Sequence, residues 1–160
     1  RSIVCPALDD RSIAMVGGEG RRRGGRHTVG LSLWDTKAWL ALKPGNPAFP
    51  LNRKNSLWFK PDLDLNAVAL TSDAVVAALR YIHTEQPRQK WWEKKTSGWA
   101  FSAFDRSNGE ELWRVDLPAE PIYNGIAPTA DGSWVVVLRD GSLVIVEEGN
   151  ENAEEEVNAQ

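Results

Sequence analysis

A single cysteine, Cys5, stands in the 160 residues of this chain. That excludes an internal disulfide framework and any metal site built from several cysteines. It leaves the compartment open. Histidine is equally scarce: His27 and His83 are the two present, and neither has a partner nearby in sequence with which to form a ligand set or a proton relay. Long apolar runs are missing as well, and none approaches the roughly 20 residues that a membrane-spanning helix needs. No secretory leader pattern opens the chain, which starts at Arg1 rather than Met. The start reads as an internal cut, so the lack of a targeting signal is uninformative about location.

The remaining composition is that of a folded chain. Hydrophobic residues make up 42% and charged residues 26%, which excludes a wholly disordered chain and a membrane bundle. The net charge of −3 hides an uneven distribution. Residues 1–30 hold six Arg against three acids, residues 31–146 are balanced, and residues 147–160 hold six Glu and no cation. Eight Trp against two Tyr is an unusual ratio that any account of the fold must place.

Short β-branched runs between turn residues dominate the pattern. Ser133–Leu138 and Ser142–Val146 flank Asp140-Gly141, a strong hairpin signal whose two-residue type I′ form requires positive φ at both central residues. Upstream, Ala67–Leu70 and Ala74–Leu79 read as two strands around Thr71-Ser72-Asp73, with a helix over 74–82 as the competing reading. Further strands are expected at 98–104 and 111–115, and in the N-terminal part at 12–16 and 28–34. Irregular loops are expected at 17–25, rich in Gly and Arg, at 43–56, rich in Pro and Asn, and at 84–97, an insertion holding Trp91 and Trp92. No amphipathic helix stands out, and residues 147–160 read as a disordered acidic tail. The fold class that follows is all-β.

The strands also repeat. Ser32-Leu33-Trp34-Asp35 and Ser102-Ala103-Phe104-Asp105 share a Ser-x-aromatic-Asp pattern, and 68–79 and 126–138 share a strand, an Asp-containing turn and a second strand. The order matches that of a propeller blade, a four-stranded antiparallel sheet. The most specific segment runs from Ala103 to Trp113. Asp105 is suited to accept hydrogen bonds from turn N–H groups, Gly109 permits positive φ, and Trp113 on an outer strand presents a large ring for packing between blades. Ala103, Asp105, Gly109 and Trp113 fall at the spacings of the tryptophan-docking repeat, so this segment resembles the PQQ-like (quinoprotein alcohol dehydrogenase-like) β-propeller family. Asn108 replaces the usual Thr or Ser. The first copy, Ser32–Asp35, lacks the downstream Gly and Trp.

The resemblance implies PQQ-like blades over 67–146, a loosely blade-like region over 1–66, and the acidic tail over 147–160. About 40 residues per blade allow three blades at most, fewer than a closed ring needs. The chain is therefore expected to be the C-terminal part of a larger, incomplete propeller, with the remaining blades of the parent chain as its first partners. An extracytoplasmic setting is what the resemblance implies.

The family also brings PQQ and calcium to mind, and the residues argue against both. The vicinal Cys pair common in the quinoprotein enzymes is absent. Asp62-Leu63-Asp64-Leu65-Asn66 has the alternation of a calcium loop, but Ala67 stands where that loop needs Gly and no Glu follows six positions later. The plainer reading is a strand with one polar face. Gly17–Gly25 lacks the Gly-Lys-Ser/Thr of a phosphate-binding loop. Its Arg21, Arg22 and Arg23 are candidates for partner binding, as are Trp91 and Trp92 among Arg88, Lys90, Lys94 and Lys95. The expected function is that of a non-enzymatic scaffold for protein–protein interaction, with no catalytic, cofactor or metal residues. The alternatives are a fragment of a PQQ-dependent oxidoreductase whose cofactor site lies in missing blades, and nucleic-acid binding through the basic loop.

Overall fold

The computed structural model describes residues 4–19, 28–41, 56–83 and 94–147. They form three antiparallel sheets. The first contains β1 (Ala7–Leu8), β2 (Ser12–Glu19), β3 (Thr28–Asp35) and β4 (Trp58–Pro61) in the order β1-β2-β3-β4. A single short helix, α1 (Thr36–Leu40), follows β3. The second sheet contains β5 (Leu63–Leu70), β6 (Ala74–His83), β8 (Ala100–Asp105) and β9 (Glu111–Asp116), and β7 (Lys95–Thr96) pairs with the end of β6. The third contains β10 (Pro121–Pro128), β11 (Trp134–Leu138) and β12 (Leu143–Val146). Each sheet is an up-and-down meander in chain order, and the next begins a few residues after the last ends. The protein is all-β and blade-like, with three stacked sheets that do not close on themselves.

The middle sheet is apolar on both faces because it lies between the other two. Val75, Ala77, Leu79 and Phe104 pack with Ala14, Leu31, Leu33 and Trp58 of the first sheet. Val76, Ala78, Phe101 and Ala103 pack with Trp134, Val136, Leu138 and Val146 of the third. This explains the uninterrupted run Ala74–Leu79, which carries no helical period. Every side chain in it is buried, alternately against one neighbour and the other. The helix reading of 74–82 is thereby replaced by strand.

β5 contains an irregularity that serves the same end. Its pairing with β6 shifts register between Leu65 and Ala67, so Asn66 is an extra residue that inverts the alternation. Leu63 and Leu65 face the first sheet, whereas Ala67 faces the third. Asn66 itself is buried, and its Nδ2 donates to the Pro121 carbonyl at 2.7 Å and to Glu120 Oε1 at 3.3 Å. The expectation of a simple polar face over 62–66 is corrected accordingly: Asp62 and Asp64 stay half-exposed, the latter bonded to Arg80 at 2.8 Å, whereas Asn66 turns into the protein.

Three further details differ from expectation. The Asp140-Gly141 hairpin forms, but its loop has three residues. Leu138 N donates to Ser142 O at 2.9 Å, and Gly141 alone has positive φ, +92°. Asp140 keeps negative φ because its carboxylate accepts from Ser142 N at 3.0 Å and Ser142 Oγ at 2.7 Å, which suits a type I turn ending in a bulge glycine. Strand β2 runs on to Glu19, into the stretch read as a Gly/Arg loop. Lys95 and Thr96 pair with His83 and Ile82, so the expected insertion at 84–97 ends in strand.

Candidate functional site

The seam between the first two sheets carries the most specific contacts of the molecule. Its centre is the turn that leaves β8. Asp105 accepts from Ser107 N at 2.7 Å, Ser107 Oγ at 2.5 Å and Asn108 N at 3.3 Å. These bonds hold its carboxyl below the ordinary carboxylate range. Gly109, at φ +76°, closes the turn by donating its N–H to Asp105 O at 2.8 Å. The same Asp-x-Ser device recurs at Asp131-Ser133 and Asp140-Ser142, with each carboxyl lowered by its serine contacts and, at Asp131, first by the Thr129 hydroxyl.

Trp58 of β4 lies on this turn. Its Nε1 donates to the Arg106 carbonyl at 3.0 Å, and its ring covers Gly109 so closely that a β-carbon there would stand 2.8 Å from the indole. Trp58 occupies in the first sheet the position that Trp113 occupies in the second. Leu33 pairs with Trp58 as Ala103 pairs with Trp113, and Ser12 pairs with Asp35 as Ala74 pairs with Asp105. The turn bonds match too: Thr36 N donates to Arg11 O at 3.1 Å, and Arg106 N to Asp73 O at 2.9 Å. The tryptophan expected to be missing from the first copy is therefore present. It lies 23 residues after Asp35, not the 8 that separate Asp105 from Trp113.

The motif residues read from the sequence separate by role. Ala103 is buried in the core shared with the third sheet, and Trp113 leans on that core with its ring 5.4 Å from Phe101. Asp105 holds the turn, and the Arg106 carbonyl and Gly109 face the first sheet as the receptor for Trp58. Sequence reasoning missed Trp58, and it missed the charge that lies beside it.

That charge is Arg106, which is 6% exposed. Its Nη2 reaches both oxygens of Asp9 at 2.6 and 2.5 Å, Nη1 donates to the Thr71 carbonyl at 2.7 Å, and Nε lies 3.4 Å from Ser12 Oγ. Asp9 also accepts from Arg11 N at 2.8 Å and Ser12 N at 2.7 Å. The Arg106 hydrogen bonds, helped by these two N–H groups and opposed by burial, bring its carboxyl down to about 2. A shallow cavity opens above the pair, lined by Leu8, Asp9, Arg11, Leu70, Ser72 and Arg106 among others. Arg11 Nη1 donates to Ser72 O at 3.1 Å across it. The buried Arg106 and the half-buried Asp9 satisfy each other within the protein, so the arrangement clasps the sheets together.

The residues weighed for calcium do not converge. Asp64 is engaged by Arg80, Asp62 lies 3.6 Å from Lys94, and Asn66 points its amide at a carbonyl. Among the described residues no three His, Cys, Asp or Glu side chains gather in one place. Asp62, Asp64 and Asn66 therefore do not form one ligand set. Cys5 is exposed, its N–H bonded to Asn124 Oδ1 at 2.9 Å, and His83 is exposed at the end of β6. Arg21, Arg22, Arg23, Trp91 and Trp92 lie outside the described residues, as do His27 and the tail beyond Glu147. The structure places their anchors: β2 ends at Glu19 and β3 starts at Thr28, while β6 ends at His83 and β7 starts at Lys95. Among the described residues no helix is long and apolar enough to cross a membrane.

Comparison with family models, with curated proteins and with solved structures gives no match to this chain.

Proposed function

We propose that the chain is a PQQ-like β-propeller repeat module acting as a non-enzymatic scaffold for protein–protein interaction. The observation that carries this reading is the tryptophan lock: Trp58 of one sheet seated on the Asp105–Gly109 turn of the next, with Trp113 at the matching position one sheet on. Recurrence of a tryptophan at one strand position in successive sheets supports a radial array rather than an ordinary sandwich. The most polar seam is closed by its own residues, so function falls to the loops and free faces that a rigid stack presents. The segment holding Arg21–Arg23 joins β2 to β3, and the segment holding Trp91 and Trp92 joins β6 to β7. Both are connections of this kind, and they are the proposed contact residues for a protein partner.

Melting the full chain with and without pyrroloquinoline quinone and calcium tests the reading. An unchanged Tm is expected. A rise that grows with the concentration of the pair would place the chain among the quinone-dependent oxidoreductases instead. A salt titration against single-stranded and duplex nucleic acid covers the basic loop: affinity falling steeply with salt would overturn the scaffold reading in favour of phosphate contact.

A further inference from the structure

The cavity beside the Arg106–Asp9 pair has a volume of about 580 Å³, within the range of small-ligand pockets. Its walls include the open edges of two strands. In the β5–β6 hairpin Thr71 N donates to Ala74 O at 2.9 Å, and the next opposed pairs are Leu70 with Val75, Ala69 with Val76 and Val68 with Ala77. Bonded and non-bonded pairs alternate along an antiparallel ladder. Leu70 and Val68 therefore fall on non-bonded pairs and turn their N–H and C=O away from β6. The β1–β2 hairpin gives the same result. Asp9 N donates to Ser12 O at 3.0 Å, so Leu8, opposite Ile13, turns its backbone away from β2. Leu8, Val68 and Leu70 all line the cavity.

One end of this groove is closed and charged. β1 and β5 both run into their turns at the end where Arg11 Nη1 donates to Ser72 O at 3.1 Å. That contact bridges the two turns and uses one of the five N–H groups of an exposed guanidinium. Arg106, by contrast, spends its donors on Asp9, Thr71 and Ser12. Arg11 is thus the cation of the lining that keeps donors for a ligand, and the exposed Asp10 is the acid beside it in the chain.

We propose that this groove binds the C-terminal residues of an extended peptide, with the terminal carboxylate on Arg11 and the peptide backbone on the edge of β5. Unpaired strand edges select an extended backbone, because their N–H and C=O groups recur at the spacing that another strand matches. The side chains of Leu8, Val68 and Leu70 along the walls select apolar residues on that strand. The closed end selects a chain terminus, and the guanidinium there selects a carboxylate over an ammonium group. The peptide therefore runs parallel to β5, toward the turn. Asp10 limits the affinity by repelling the same carboxylate. The site lies apart from the two connections assigned to the scaffold role and does not rest on that reading.

Amide NMR of the full chain titrated with the tripeptide N-acetyl-Ala-Val-Val tests the proposal, the free acid against its C-terminal amide. The acid is expected to shift the amide signals of Leu8, Val68 and Leu70. It should bind at least about tenfold more tightly than the amide, the factor that one charge-assisted hydrogen bond supplies. Arg11→Gln should abolish that preference and Asp10→Asn should strengthen binding of the acid, with far-UV circular dichroism unchanged in both. Methylating the peptide nitrogens one at a time should weaken binding at alternate positions only, the signature of strand addition. Equal affinity of acid and amide, a preference that survives Arg11→Gln, shifts confined to other residues, or N-methylation without effect would each overturn the proposal. So would the absence of any shift at millimolar peptide. None of these results touches the scaffold reading, which concerns other segments.

Discussion

Arg106 and Asp9 lie 97 residues apart in sequence and meet with two hydrogen bonds of 2.6 and 2.5 Å at the seam of the first two sheets. The guanidinium also holds the β5–β6 turn through Thr71 O. One side chain therefore fixes the position of two sheets and of the turn between them. Removing it leaves the Asp9 carboxylate with only the Arg11 and Ser12 N–H groups and takes the guanidinium donor from the Thr71 carbonyl. Arg106→Ala is expected to cost about 1–3 kcal/mol, the size typical of removing a charged hydrogen-bond donor from a partly solvated acceptor. Asp9→Asn, at a more solvated partner, should cost less. Urea unfolding of the full chain checks both values.

The same pair sets an acid limit. Asp9 titrates at about 2 in the folded protein and at 3.8 in its ordinary state. A carboxyl whose folded pKa is depressed contributes stability above its unfolded value and loses it as pH falls through the folded one. Tm is therefore expected to hold above pH 4 and to drop between pH 4 and 2. Asp73, Asp105, Asp131 and Asp140 are lowered in the same direction by their turn hydrogen bonds and add to the loss as pH falls below 4. Asp9→Asn should make the drop shallower without abolishing it. A variant that melts with the parent's pH dependence would show that the turns alone carry the acid sensitivity.

Asn66 makes a separate prediction because it acts at the other interface. Its amide is the bond between β5 and the start of β10, at a position where the strand must change faces. Asn66→Ala is expected to cost about 1–3 kcal/mol by leaving the Pro121 carbonyl unsatisfied in a buried place. Asn66→Asp should cost more, since a carboxylate there faces that carbonyl and Glu120. Differential scanning calorimetry should register a drop of roughly 2–4 °C per kcal/mol for a chain of this length.

These residues also show where sequence patterns inform and where they stop. The β-branched run Trp134–Leu138 and the turn glycine Gly141 betray a hairpin because strand propensity and turn chemistry are local. The turn between Asp105 and Gly109 is local too, closed by Gly109 N donating to Asp105 O. Trp58 escaped because the segment between Asp35 and β4 is lengthened, so its equivalence to Trp113 exists in register and not in spacing. The helix α1 escaped for a different reason. Five residues carry no period, and its start depends on Asp35 accepting from Ala38 N at 2.7 Å. The Arg106–Asp9 clasp has no local signature at all, because a pair separated by most of two sheets is created by the stacking itself. The bulge at Asn66 follows the same rule: its alternation inverts only because β5 must serve one sheet with Leu65 and another with Ala67.

Gly109 and Trp58 give the sharpest test of the inter-sheet lock. At φ +76° a side chain costs about 1–2 kcal/mol by itself, and the new β-carbon of Gly109→Ala would press on the indole at 2.8 Å. The variant is expected to lose roughly 2–4 kcal/mol, from strain plus overpacking. Trp58→Ala should lose about 3–5 kcal/mol, the cost of emptying a buried aromatic site. Trp58→Phe should lose about 1–2 kcal/mol, because the ring is mostly kept while the Arg106 carbonyl loses its donor. The combination decides the matter. If the ring is what Gly109 accommodates, Gly109→Ala in the Trp58→Ala background should cost only its backbone strain, leaving a coupling of at least about 1 kcal/mol in a double-mutant cycle. Additive losses would mean that the glycine serves the turn alone and that Trp58 does not read it.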